Sequence, residues 1–147
     1  MKKMMTLCAA LLLVPALAFA HGKATGTVKE RMDRMVEIND ARKVISAQLR
    51  REDGPDPGAI ANSARVIERH SGAAMTALFP AGSTMHSDAM PSVWTEPTRF
   101  SALAEDLRIA AATLARDADS GADTRAAFAA VEDACSACHD DYRLGLD

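Results

Sequence analysis

Apolar side chains recur at alternating spacings of three and four along most of this 147-residue chain, and that period is typical of amphipathic helices. Runs of β-branched residues are absent and aromatic residues make up only 4% of the sequence, so no strand is predicted. The pattern predicts four helices, at about residues 27–51, 59–78 and 97–118, and from about residue 123 through Tyr142. Four such helices predict an all-α fold, an antiparallel four-helix bundle.

Glycine, proline and polar residues separate the four helices. The run Gly54-Pro-Asp-Pro-Gly58 ends the first helix, Asp119-Ser-Gly121 ends the third, and Asp123 or Thr124 is a suitable N-cap for the fourth. Residues 79–97 contain three prolines and predict a long connection, and loops of that length are commonly functional. The residues predicted to face the core are Val28, Met32, Met35, Ile38, Ile45, Leu49, Ile60, Ala64, Ile67, Ala74, Leu78, Phe100, Leu103, Leu107, Ala110, Leu114, Phe128, Val131, Cys135, Cys138 and Tyr142.

The N-terminus has the anatomy of a secretory signal peptide. Two lysines precede an apolar run over residues 7–18, and Ala18-Phe-Ala20 is a small-x-small cleavage site. The apolar run is shorter than the roughly 20 residues that span a bilayer, which argues against a membrane anchor. The sequence therefore predicts a leader at residues 1–20 and a mature, exported single domain at 21–147 without a membrane span.

Net charge restricts the partners. Loss of Lys2 and Lys3 with the leader takes the formal net charge from −3 to −5. A chain of that charge is not expected to bind nucleic acid or an anionic membrane surface. It is compatible with a soluble protein that meets a basic patch on another protein.

The fourth helix carries the motif Cys135-Ser-Ala-Cys138-His139. A disulfide between cysteines three residues apart would close a tiny loop and stabilise little. A thioredoxin-like pair belongs at a strand-to-helix junction, and a zinc site would want two further ligands at short spacing. Cys-x-x-Cys-His is the attachment motif of c-type haem: both thiols add to the haem vinyl groups, and the histidine ligates the iron. One covalently bound haem c is therefore the preferred prediction, with a periplasmic location.

The chain also resembles a known family. Residues 134–143, Ala-Cys-Ser-Ala-Cys-His-Asp-Asp-Tyr-Arg, are similar to the C-terminal helix of class II c-type cytochromes, the cytochrome c′ family. Residues 28–35 of the first helix, Phe79-Pro80, and the stretch from Pro91 to Trp94 are similar as well. The resemblance covers essentially all of the mature chain and implies an antiparallel bundle with haem c.

The resemblance implies roles for particular residues. Cys135 and Cys138 form the thioethers, and His139 is the proximal iron ligand. Met35 faces the other side of the iron, with Met32 one turn away as the alternative on the same stripe. The remaining implied haem contacts are Arg31 near a propionate, Trp94 near the haem edge, and Arg143 over the proximal face or a propionate.

The family divides according to what occupies the sixth position of the iron. In one branch a methionine completes a His/Met pair, and such a protein carries single electrons. In the other branch that position is vacant, and the high-spin iron binds nitric oxide or carbon monoxide. Because Met35 and Met32 lie on one helical stripe, the sequence favours the electron carrier and keeps the gas binder as its alternative.

No enzymatic activity is predicted, because the first-helix stripe offers methionine and aliphatic residues and no distal histidine to act as acid or base. The partners predicted are an unidentified redox protein and, in the alternative, a diatomic gas. Many relatives are dimers through their first two helices, and the sequence leaves monomer and homodimer open.

Overall fold

A computed structural model describes residues 24–145, so the leader predicted at residues 1–20 lies outside the described part of the chain. The helices are α1 (Gly26–Leu49), α2 (Pro57–Arg69), α3 (Ala73–Thr76), α4 (Ser92–Thr95), α5 (Pro97–Ser120) and α6 (Thr124–Tyr142). Within residues 24–145 the strand-like pairing is limited to one antiparallel bridge between Ala89 and Arg143. None of the described helices is long and apolar enough to cross a membrane.

The four long helices, α1, α2, α5 and α6, form the predicted bundle. The bundle packs α1 against α2, α2 against α5, and α5 against α6. Its centre is filled by aliphatic side chains from all four helices, and the most deeply buried large ones are Ile45, Ile60, Ile67, Leu114 and Val131. Buried alanines such as Ala64, Ala104 and Ala111 let the backbones of α2 and α5 approach closely.

The signals predicted at Gly121 and Asp123 for the end of α5 and the start of α6 are found in the structure, and Asp56 adds a cap that was not predicted. The carboxylate of Asp56 accepts hydrogen bonds from the backbone N–H groups of Gly58 and Ala59, so α2 begins at Pro57. Gly121 has a left-handed conformation and caps the C-terminus of α5. Asp123 caps α6 by accepting from Arg125 N. Helix α1 ends at Leu49, two residues before the predicted end.

The prediction of one second helix over residues 59–78 is wrong. Helix α2 ends at Arg69, and Gly72 adopts a positive φ of 60° that interrupts the helix. The Gly72 N–H donates to Ala104 O at 2.9 Å, so the chain turns onto α5 before the short helix α3 begins. Because this corner resets the helical phase, Ala74 is exposed rather than buried, and Met75 is buried instead.

Candidate functional site

A cavity of about 600 Å³ lies between α1 and α6, with α5 and the loop before α4 completing its wall. Since α1 packs on α2 and α6 packs on α5, the two helices that face each other across the cavity are not packed closely against one another. Cavities of about 300–1,000 Å³ are the usual size for organic ligands and cofactors. The lining includes Arg31, Met32, Met35, Val36, Arg42, Phe79, Val93, Phe100, Leu103, Glu132, Cys135, Cys138, His139, Tyr142 and Arg143.

Both cysteines of the motif line the cavity as free, half-buried thiols. Burial raises the pKa of both thiols, and it raises the pKa of Cys138 to about 11. At neutral pH both are therefore protonated and lack the thiolate character of reactive redox cysteines and zinc ligands. In residues 24–145, no group of three or more His, Cys, Asp or Glu side chains is arranged to hold a metal ion.

His139 lies one residue beyond Cys138 and lines the same cavity. More than a third of the surface of His139 is exposed to solvent. The ring is nevertheless partly desolvated, and this desolvation lowers the pKa of His139 below its usual value. The positive charge of Arg143 lowers that pKa further. The imidazole is thus neutral at pH 7, which is the form that binds a metal.

Two methionines of α1 form part of the opposite wall. Met32 and Met35 are half-buried, and both line the cavity as the sequence predicts. Met35 also packs against the main hydrophobic core. Val36 beside it is 60% exposed, so the cavity opens to solvent along this part of α1.

Arg31 is a buried cation, with only 4% of its surface exposed. Its Nη1 donates to Leu78 O at 3.2 Å and Ser83 Oγ at 2.8 Å, and its Nη2 donates to Ser83 O and Ser87 Oγ at 2.6 Å each. The guanidinium also stands 4.5 Å from the centroid of the Phe79 ring. Every one of these partners is neutral, and no carboxylate of residues 24–145 forms an ion pair with Arg31.

The loop that lines the cavity is tied to the end of α6, just beyond His139. Met90 N donates to Tyr142 O at 2.9 Å, Leu144 N donates to Asp88 O at 2.8 Å, and these bonds flank the Ala89–Arg143 bridge. Ser92 Oγ adds a bond to Asp141 O at 2.8 Å. We call residues 87–92 the strap, because they fasten the long connection across the C-terminal end of α6.

Trp94 is the predicted site residue that does not line the cavity, and its neighbour Val93 lines it instead. The Trp94 Nε1 donates to Phe79 O and Pro80 O at 3.1 Å each, which fixes the indole against the loop. The structure brings the remaining predicted residues together around the cavity: Arg31, Met35, Cys135, Cys138, His139 and Arg143.

Several lining residues were not predicted as site residues. Phe100 packs edge-on against both Phe79 and Tyr142, with ring centroids 5.0 Å and 5.2 Å apart, so three aromatic rings form one wall. Tyr142 and Phe100 were predicted only as core positions. The apolar stripe of a helix does not distinguish residues that fill a core from residues that line a cavity.

The cavity fits a flat macrocycle with an apolar face and anionic substituents. It offers a neutral histidine beside two half-buried thiols, a wall of aromatic rings and thioethers, and a buried cation without an ion-pair partner among the described residues. The fold and site define a four-helix-bundle protein of the c-type haem class. The family model described as "Cytochrome C'" matches residues 26–143, and the chain belongs to that family. This family binds haem c covalently through cysteines, which in the described chain are Cys135 and Cys138.

Solved structures of cytochromes c′ are similar to this chain. The cytochrome c′ of Rhodopseudomonas palustris is 28% identical with a TM-score of 0.74, over 84% of this chain and 100% of that chain. The cytochrome c′ of Thermochromatium tepidum is 27% identical with a TM-score of 0.73, over 81% and 95%. A nitric oxide complex of a mutant cytochrome c prime from Alcaligenes xylosoxidans is 27% identical with a TM-score of 0.67, over 81% and 94%. No curated protein matched the chain.

Proposed function

We propose that this protein binds nitric oxide or carbon monoxide at a five-coordinate haem c whose proximal ligand is His139. The observation that carries the proposal is the position of Met35, which packs against the hydrophobic core while it lines the cavity. A thioether engaged in core packing is less available as a ligand. The similarity to a cytochrome c′ that was solved as a nitric oxide complex supports the same function.

The α1 side chains around Met35 suit a small uncharged ligand. Met32, Met35 and Val36 offer apolar surface to the cavity and no proton donor, whereas the proton donors of α1 that line it, Arg31, Asn39 and Arg42, lie one turn or more from Met35 along the helix. This part of the wall would favour a diatomic molecule over water or an anion. The bound haem supplies the iron that takes a gas ligand or an electron. His139, neutral at pH 7, would hold that iron from the α6 side.

A one-electron carrier with His139/Met35 ligation is the second candidate. It is favoured by the presence of both Met35 and Met32 in the cavity wall. A thioether ligand favours ferrous iron and keeps the coordination the same in both redox states, which suits electron transfer. The two candidates therefore differ in whether the sulfur of Met35 binds the iron. It does so in the electron carrier and does not in the gas binder.

The visible spectra of the oxidised and reduced holoprotein test the two candidates, with Met35→Ala as the variant and Met85→Ala as the control, because Met85 is 72% exposed. A broad high-spin spectrum that shifts with carbon monoxide in all three proteins supports the gas binder. Sharp α and β bands in the reduced wild type, lost only in Met35→Ala, would instead establish the electron carrier. If those bands persist in Met35→Ala, Met32 is the ligand to test next.

Arg31 and Arg143 are proposed to face the haem propionates. Arg31 supports this role because it is a buried cation with neutral partners that lines the cavity. A propionate would supply the missing negative charge. The proposed haem-edge contact of Trp94 has weaker support, since Val93 rather than Trp94 lines the cavity.

We further propose that the protein acts in the periplasm after removal of residues 1–20, and that it is not an enzyme. Among the described residues that line the cavity, His139 is the only histidine, and it lies beside the attachment cysteines. A second histidine opposite it, which could act as a distal acid or base, is not part of that lining. Its redox partner, if electron transfer is its task, would be a separate protein.

A further inference from the structure

An ion pair joins the two helices that face each other across the cavity. The Nη1 of Arg42 on α1 lies 3.1 Å from the Oε1 of Glu132 on α6, and both residues line the cavity. The two side chains are half-buried, at 36% and 41% exposure. Neither residue belongs to the attachment motif.

Both charges lie beside the attachment site. Glu132 precedes Cys135 by about one helical turn on α6, so the two side chains share a face. Desolvation is the largest influence on the pKa of Cys135, but Glu132 also raises that pKa and Arg42 lowers it. The field of each member of the pair therefore reaches the sulfur through which the family attaches its haem.

The other charged lining groups lie near the opposite end of the cavity. Arg31 is eleven residues from Arg42, which is about 16 Å along α1. Asp88 and Arg143 belong to the strap and its partner segment at the C-terminal end of α6. Charge changes at Arg42 and Glu132 therefore act at one edge of the site, away from Arg31 and Arg143.

We propose that Arg42 and Glu132 tune the reduction potential of the bound haem in opposite directions. Reduction adds one electron to the haem, so a nearby cation favours the reduced state and a nearby anion favours the oxidised state. When both residues are present, their opposite effects on the reduction potential largely cancel. Removal of either charge leaves the effect of the other unopposed. This inference rests on the family's covalent haem and goes beyond the proposed gas ligand.

The test is a mediated electrochemical titration of the holoproteins Arg42→Gln, Glu132→Gln and the double variant, followed by visible absorption. Arg42→Gln is expected to lower the midpoint potential and Glu132→Gln to raise it, with the double variant close to wild type. Both single shifts should shrink as ionic strength rises, because the pair is partly exposed to solvent. Arg42→Lys keeps the charge and should keep the wild-type potential.

The control is the exposed pair Arg65–Asp119, which joins α2 to α5 and does not line the cavity. Arg65→Gln and Asp119→Asn should leave the potential unchanged. If Arg42 and Glu132 serve only to hold α1 and α6 together, both single variants should shift the potential in the same direction. That result, or shifts no larger than those of the control pair, would overturn the proposal, whether or not the protein binds carbon monoxide.

Discussion

The side chain of Arg31 shows how one residue can hold a loop over a cavity. It fixes residues 78–87 to α1 through four hydrogen bonds and a ring contact. Burial lowers the pKa of Arg31 from its usual value, as expected for a cation without a counter-charge. Its place in the cavity wall was predictable from the family resemblance, whereas its partners Ser83 and Ser87 come from a loop that carries no periodic signal.

Arg31→Met is expected to destabilise the holoprotein by about 2–4 kcal/mol. The change removes the donors for two backbone carbonyls and two hydroxyls in a partly buried site, and unsatisfied buried acceptors are costly. The midpoint of urea unfolding would measure the loss. Arg34→Met is the control on the same helix, because Arg34 pairs only with exposed glutamates and its loss should cost less than about 0.5 kcal/mol. Equal losses in the two variants would contradict the anchoring role of Arg31.

At the scale of single elements, the corner between α2 and α3 is where the sequence prediction failed. The apolar spacing continues from Ile67 toward Leu78, so periodicity alone extends the helix through Gly72. The structure instead bonds Gly72 N to Ala104 O and turns the chain. Periodicity cannot detect a break that depends on a hydrogen bond to a helix far along the chain. The boundary between α5 and α6, in contrast, was predictable from the local signals Gly121 and Asp123.

Gly72→Ala is expected to destabilise the protein by about 1–3 kcal/mol, because φ of 60° with ψ of −137° is a conformation that L side chains rarely adopt. The added methyl group would also meet Glu105 Oε2 at 2.8 Å and Arg108 Cδ at 3.0 Å. Gly121→Ala is the control, since its φ is also positive but nothing lies within 4 Å of the added atom. Thermal unfolding should show a larger loss of stability for Gly72→Ala than for Gly121→Ala. A larger loss for Gly121→Ala would contradict the crowding at Gly72.

Asp56→Ala should cost about 0.5–2 kcal/mol, since two N–H groups at the start of α2 lose their acceptor. The matched control is Asp53→Ala in the same connection, because Asp53 forms an exposed ion pair with Arg51 and caps no helix. Urea unfolding of both variants provides the comparison. A cost for Asp53→Ala as large as that for Asp56→Ala would argue against the cap.

At the scale of the whole molecule, the cavity exists because α1 and α6 do not pack closely against each other. The first and last helices, α1 and α6, face each other across about 600 Å³ while each packs on an inner helix. The four-helix bundle, the turn between α5 and α6, and the attachment motif could be predicted from the sequence. The aromatic wall and the strap could not, because they arise from contacts between segments far apart in the chain.

Removal of the haem should loosen α1 and α6 more than α2 and α5. When a Cys135→Ser/Cys138→Ser protein is prepared without haem, the apolar groups that line its cavity lose the partner atoms of the macrocycle. Amide hydrogen exchange is expected to speed up most around Met35 and Glu132, which line the cavity, relative to the holoprotein. Uniform protection in all four helices, or faster exchange confined to α2 and α5, would contradict this account.

The Arg42–Glu132 pair joins residues that are 90 positions apart, and the strap joins the middle of the chain to its end. Closing a flexible loop of n residues costs conformational entropy, and the free-energy cost grows as (3/2)RT ln n. For the 90 positions between Arg42 and Glu132 this cost is about 4 kcal/mol. We expect contacts with so large a closure cost to form after the shorter-range pairing of α1 with α2 and of α5 with α6. The walls of the haem cavity should therefore come together in the final stage of folding, once both helical hairpins already exist.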